Sequence, residues 1–245
     1  MERNDQCFCG SGKKYKKCHY RINGESKLAK IYKAQSEYDS YCQANGLCNN
    51  CIAGCSKCCH DFFFVTEMEF LTVLEYLDYN KYDISDYVTR AKKVLADIKL
   101  KYPLIIDKLD EYMPTTQTSR RPETTFFDDS FNSKDLPICI FVNEENKCSI
   151  YDVRPYVCRG YGTSETCVFI NNNKIDFQEK VNLILEGDML SSSVSEKTII
   201  KRPYPLFYWF AYFLDEKYYD IVITKMRKFR DLKNDQYYDF NCKLI

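Results

Sequence analysis

Four cysteine positions within a short span and a second set far down the chain restrict this fold more than any other feature. Cys51-Ile-Ala-Gly-Cys55-Ser-Lys-Cys58-Cys59 is followed about eighty residues later by Cys139, Cys148, Cys158 and Cys167. Four thiols in nine residues exceed any packing need, and such spacing points to metal ligation. Thiolates prefer soft or borderline ions, so zinc and iron–sulfur clusters fit while calcium and magnesium do not. The adjacent pair Cys58 and Cys59 cannot easily close one tetrahedral site, because the short backbone link turns their sulfurs apart. Two ions, or two corners of a multi-iron cluster, are the alternatives. Whatever the topology, it has to bring the two groups onto shared metal.

The fourteen cysteines would suggest disulfides if the chain were secreted. It opens Met1-Glu-Arg-Asn-Asp with no apolar segment behind, so no secretory signal is read. The longest apolar stretch, Leu206 to Leu214, is nine residues, whereas a bilayer span needs about 20. The expectation is a cytoplasmic protein with no membrane span, in which clustered thiols stay reduced and bind metal. Lys+Arg and Asp+Glu are both 35, so net charge singles out no partner. Residues 1–35 nonetheless carry nine Lys or Arg against three acids. That basic start suits contact with an acidic partner or RNA, and suits equally a solvated tail.

The basic segment holds Cys7-Phe-Cys9-Gly-Ser-Gly-Lys-Lys-Tyr-Lys-Lys-Cys18-His19. It resembles the SEC-C motif, the zinc-binding tail of the preprotein translocase ATPase that is also fused to unrelated domains. The resemblance implies zinc on Cys7, Cys9, Cys18 and His19, with Gly10 and Gly12 letting the backbone wrap the ion. It also implies an adaptor role toward a protein or ribosome partner. Gln6 and Phe8 stand where prolines are usual and Tyr20 where glycine is common, and none of these changes removes a ligand. So polar a segment is expected to make few core contacts and to depend on zinc for folding.

The main cysteine set, joined to Cys148-Ser-Ile-Tyr-Asp-Val-Arg-Pro-Tyr-Val-Cys158-Arg159, resembles the YkgJ-type cysteine-cluster family of zinc- or iron-chelating domains. The resemblance covers roughly residues 48 to 167. It makes Cys51, Cys55, Cys58, Cys59, Cys139, Cys148, Cys158 and Cys167 the ligand candidates for zinc or an iron–sulfur cluster. A distant group with a similar cluster includes flagellin lysine methylases.

Helical periodicity predicts a helix from Lys27 to Gln43 with Leu28, Ile31, Tyr32, Tyr38 and Cys42 on one face. Thr66-Glu-Met-Glu69 fits a capping box ahead of a second helix with Met68, Leu71, Leu74 and Leu77 inward. A third is predicted from Ser85 to before Pro103. Residues 114–135 read as a polar loop. Ile138–Val142 and Lys147–Tyr151 read as a β-hairpin presenting Cys139 and Cys148, with a second hairpin around Asn171-Asn-Asn173. The carboxy-terminal third reads as helical, with Ile221, Met226, Phe229 and Leu232 on one face. The fold class is therefore α+β and mainly helical, with short hairpins around a cysteine-lined metal centre and a small zinc module at the amino terminus. The divisions are 1–22 for the module, 23–46 for a connecting helix, 47–170 for the cluster domain and 171–245 for a carboxy-terminal part packed on it.

His60 reads as a polar side chain satisfied by its neighbours, outside the ligand set. Cys48 is a spare or alternate ligand, and Cys42 and Cys242 read as ordinary core or surface thiols. Arg154 and Arg159 suit hydrogen bonds to cluster sulfurs, or an ordinary salt bridge with Asp152. Two functions compete: a non-catalytic metal protein with a zinc adaptor module, and an iron–sulfur enzyme, for example one with a lysine methylase-like activity. The second draws on Cys51-x3-Cys55-x2-Cys58, the spacing of radical S-adenosylmethionine enzymes. Against it, Lys57 replaces their usual aromatic, Cys59 adds a thiolate, and no strand–helix alternation for a β/α barrel is present. The non-catalytic reading is preferred.

Overall fold

The computed structural model describes residues 1–44, 54–60, 64–111, 136–160 and 204–237. Cys48, Cys51, Cys167 and Cys242, the 114–135 loop and the second expected hairpin lie outside them.

The described residues are mainly helical. Helix α1 (Lys27–Ala44) has Leu28, Ile31, Tyr32, Tyr38 and Cys42 buried, as the periodicity requires. Phe64–Val65 (β1) pairs antiparallel with Tyr204–Pro205 (β2), Phe64 opposite Pro205 and Val65 opposite Tyr204. β1 leads into α2 (Glu67–Tyr79); α3 (Ile84–Lys101), α4 (Pro103–Glu111) and the five-residue α5 (Tyr156–Gly160) follow, and β2 then leads into α6 (Leu206–Phe213). Helix α7 (Tyr219–Asp231) completes the set. α3 lies along α6, and α2 along α7.

Local chemistry explains the boundaries. The Thr66–Glu69 capping box forms at α2: the Glu69 amide donates to Thr66 Oγ1 at 3.3 Å, and the Thr66 amide donates to Glu69 Oε2 at 2.8 Å. Asp83 caps α3, which ends at Lys101 with Tyr102 as its C-cap, because the Pro103 ring disfavours helical geometry in its predecessor. The proline then starts α4, a helix the sequence reading did not separate, with its fixed φ suited to a first turn.

Three expectations are corrected. Helix α2 is buried nearly all round rather than along one apolar face, Glu67, Glu69, Thr72 and Glu75 included. The 138–151 segment makes a single antiparallel bridge, Val142 with Cys148, because Asn143 folds the chain early. Its side chain accepts from the amides of Glu145 and Lys147 at 3.0 and 2.8 Å, forming an Asx turn rather than a longer ladder. On α7, Met226 and Phe229 face inward but Ile221 is exposed.

The core is aromatic. Trp209 stacks on Phe70 with centroids 4.9 Å apart and donates its indole N–H to the Val65 carbonyl at 3.0 Å. Phe210 meets Phe70 and Phe141 edge-on at 5.5 and 5.2 Å. Phe141, two residues after Cys139, thus fixes the second cysteine group onto the core through α6.

Candidate metal centres

At the amino terminus the chain makes a knuckle. Cys7 N–H donates to the Lys13 carbonyl at 2.9 Å and Gly10 N–H to the Cys7 carbonyl at 3.3 Å. Gly10 and Gly12 both adopt positive φ, +70° and +69°. A side chain at Gly10 would also collide with Ser36 of α1, its Cβ falling 1.9 Å from the Ser36 hydroxyl. Both glycines are therefore conformational, and Gly10 is steric as well.

This turn gathers Cys7, Cys9, Cys18 and His19 so that one donor atom from each lies within 4.8 Å of the others. Cys9 Sγ and Cys18 Sγ are 3.6 Å apart, and His19 Nδ1 is 3.3 Å from Cys7 Sγ and 3.2 Å from Cys18 Sγ. A tetrahedron with metal–sulfur bonds of about 2.3 Å and a metal–nitrogen bond of about 2.0 Å has edges of about 3.8 and 3.5 Å. The four donors already approach that shape, with Nδ1 as the facing nitrogen. Burial, with Arg21 adding to it, pulls His19 down to about 4, so its ring is neutral and keeps a lone pair at neutral pH. Burial pushes the Cys7 thiol up to about 12, with the neighbouring Cys9 adding to it. Burial also pulls Cys9 upward, but the Ser11 hydroxyl and amide with Cys18 and Cys7 outweigh it, and the net shift is downward. Ser11 Oγ lies 3.2 Å from Cys9 Sγ and 3.4 Å from Cys18 Sγ.

The expectation of few core contacts from this segment does not hold. Phe8, where the motif usually has proline, is buried between Tyr15, His19 and Tyr32, with centroids at 6.0, 5.4 and 6.1 Å. The His19 ring lies 4.7 Å from that of Tyr32 on α1. Ile22 is fully buried. Arg21 pairs with the buried Glu75 of α2 at 2.8 Å and lies 3.2 Å over the Tyr79 ring. Polar composition hid an apolar side that only α1 and α2 complete.

The second constellation uses residues from distant segments. A 3-10 turn, Lys57–His60, carries Cys58 and Cys59. Cys139 N–H donates to the Cys59 carbonyl at 2.7 Å, so the two cysteine groups touch through their backbones. Cys139, Cys148 and Cys158 all feel Cys58 electrostatically. Cys139 and Cys158 are half-buried as residues, and burial of their thiols pushes Cys139 up to about 12 and Cys158 well above the ordinary range, with the neighbouring thiols adding to both shifts. Burial likewise raises Cys148, which Arg154 pulls back. Among the described residues, the amino-terminal quartet alone has three or more donors within 4.8 Å of one another. The main group is brought to one region but its described sulfurs are not closed to bonding geometry. The described cysteines are all free of disulfides.

Two polar residues outside the ligand set tie down the segment that carries Cys158, through contacts the local sequence pattern does not reveal. Glu69, besides capping α2, accepts the Tyr156 amide at 2.8 Å, tying the first turn of α5 to α2 two residues before Cys158. Burial raises the Glu69 carboxyl, and the amides of Thr66 and Tyr156 with Arg159 offset part of that. Among the described residues, Arg159 contacts no sulfur. Its buried guanidinium pairs with Asp39 and reaches Gln35 Oε1 at 3.3 Å, both on α1, and it donates from Nε to the Arg154 carbonyl at 3.1 Å. The salt-bridge alternative therefore holds for Arg159, with Asp39 in place of Asp152. Arg154 donates to the Tyr151 carbonyl at 2.9 Å and lies 4.0 Å over that ring. His60 is satisfied as expected, its Nδ1 lying 3.0 Å from the Leu136 carbonyl oxygen.

Residues 3–21 match the SEC-C motif, and residues 47–181 match the CxxCxxCC family, described as "putative zinc- or iron-chelating domain". No curated protein and no solved structure matches the chain. Among the described residues no helix is long and apolar enough to cross a membrane.

Proposed function

We propose that this chain, which belongs to the CxxCxxCC family of zinc- or iron-chelating domains, is a non-catalytic protein with two metal centres. The four converging donors Cys7, Cys9, Cys18 and His19 carry the reading most directly. Three thiols and a neutral imidazole are a zinc set, and a closed quartet leaves no position for substrate. The main centre draws on Cys51, Cys55, Cys58, Cys59, Cys139, Cys148, Cys158 and Cys167 and takes zinc or an iron–sulfur cluster. The Cys139–Cys59 hydrogen bond and the mutual influence of Cys58, Cys139, Cys148 and Cys158 support their convergence.

The module's outer face supports an adaptor role. Arg3, Lys13, Lys14, Lys16 and Lys17 are exposed around it while its apolar side is covered by α1 and α2. A protein or ribosome partner with an acidic surface suits that display, in the reducing cytoplasm where the thiols stay available.

Anaerobic purification, metal analysis and a visible spectrum test the assignment. One zinc per chain that disappears in Cys9→Ser, beside further zinc or iron retained by that variant, is the expected result. Zinc leaves the solution colourless and iron–sulfur clusters colour it brown. Protein purified with metal supplied throughout, yet holding none, would refute both centres.

A further inference from the structure

The turn that carries Cys58 and Cys59 is hydrogen-bonded to the segment of the second cysteine group at Cys59 and at His60, a residue outside both groups. His60 ends the turn that carries Cys58 and Cys59. Its Nδ1 is 3.0 Å from the Leu136 carbonyl oxygen, while the Cys139 amide donates to the Cys59 carbonyl at 2.7 Å. A carbonyl can only accept, so Nδ1 carries the hydrogen and the ring is held in one tautomer. The backbone bond alone leaves a pivot between the segments. The imidazole bond, three residues earlier on the partner segment, removes that rotation. Leu136 is itself buried in the core, which gives the anchor a fixed position.

We propose that His60 is a positioning residue of the main metal centre. By donating Nδ1–H to Leu136 it fixes the register in which Cys58 and Cys59 face Cys139. This rests on the reading that the two cysteine groups share metal. Thiolate ligands on two separate segments lose metal whenever the segments move apart, so the clamp acts on metal retention. Groups that orient ligands through such bonds typically change metal affinity by roughly 10- to 100-fold when removed.

The side-chain amide of asparagine can place an N–H near the Nδ1 position, whereas that of glutamine lies nearer Nε2. His60→Ala, His60→Asn and His60→Gln are therefore compared in the full-length metal-loaded chain. Metal transfer to a chromogenic chelator is followed, the amino-terminal phase being assigned with Cys9→Ser. The cobalt-substituted proteins give a thiolate-to-metal absorption spectrum. Expected are main-centre release at least about tenfold faster in His60→Ala and His60→Gln, near wild-type release in His60→Asn, and an unchanged amino-terminal phase. The His60→Asn cobalt spectrum should match wild type. Where His60→Ala misfolds, shown by a shift in Trp209 emission, the contrast of asparagine with glutamine decides. Equal release by all three variants and wild type overturns the proposal. Fast release from His60→Asn with an altered cobalt spectrum overturns it too, and makes the imidazole a ligand. A wild-type main centre without metal refutes the underlying assignment instead, a result seen before any variant is made.

Discussion

Deleting residues 1–22 is the sharpest test of how the amino-terminal module relates to the rest of the protein. A loosely attached zinc knuckle could be removed with little effect on the remainder. Here the deletion takes away Phe8, Tyr15 and Ile22, which are 9%, 6% and 0% exposed. Full burial of such side chains stabilises by about 1.5–3 kcal/mol each, an upper estimate because unfolded chains are already partly collapsed. It also strips Arg21 from Glu75, whose side chain is 1% exposed. Leaving one member of a buried pair behind costs about 3–5 kcal/mol, reduced where water reaches the vacated surface. Even after discounting both effects, a loss of about 5 kcal/mol is expected, comparable with the whole net stability of an ordinary domain, about 5–15 kcal/mol. Trp209 is the single tryptophan and is fully buried, so its emission follows core unfolding in urea. The comparison is full-length protein, the deletion, and Cys9→Ser, which gives up the metal but keeps the apolar contacts. The deletion should fall well below Cys9→Ser. A truncated protein within about 1 kcal/mol of full length would refute the shared core.

Further expectations follow from the same geometry. Gly10→Ala and Gly12→Ala both force alanine into positive φ, at about 1–2 kcal/mol, but only Gly10 also meets Ser36, so it should cost distinctly more; equal unfolding midpoints would remove α1 from the argument. Lys225 of α7 is paired with Glu67 of α2, and both are buried. Lys225→Met should therefore cost about 3–5 kcal/mol, while the Glu67→Met, Lys225→Met double variant should recover most of it in urea titrations, and failure to recover would assign the loss to packing. Burial holds Cys7 up at about 12, so its thiol is protonated at neutral pH in the metal-free site and metal entry must expel that proton. Apparent zinc affinity should then rise with pH between about 6 and 8, with proton release visible in weakly buffered solution; a flat profile would mean the thiol is already ionised.

Which parts of this could be read from sequence follows from which interactions are local. The capping box at Thr66–Glu69, the inward face of α1 and the Cys7–His19 quartet each involve residues a few positions apart, and the structure places them as the pattern suggests. The rest depends on pairings across the chain. Glu67, Glu69 and Glu75 lie outside the set Met68, Leu71, Leu74 and Leu77 that the pattern marks as the inward face. They are buried because Lys225, the Tyr156 amide and Arg21 meet them from three other segments, none predictable from the local pattern. The same limit hid the apolar side of the module, since Phe8 and Ile22 become core only once α1 and α2 are beside them. The α2 helix connects the two centres physically: Glu75 holds the residue two positions after His19, and Glu69 holds the turn two positions before Cys158. The acids spaced along α2 thus tie the segments that carry both sets of thiols to one helix. Burying those carboxylates is tolerated because each has a partner that arrives only when the frame is complete. Metal ligation and core formation are therefore parts of one assembly in this chain.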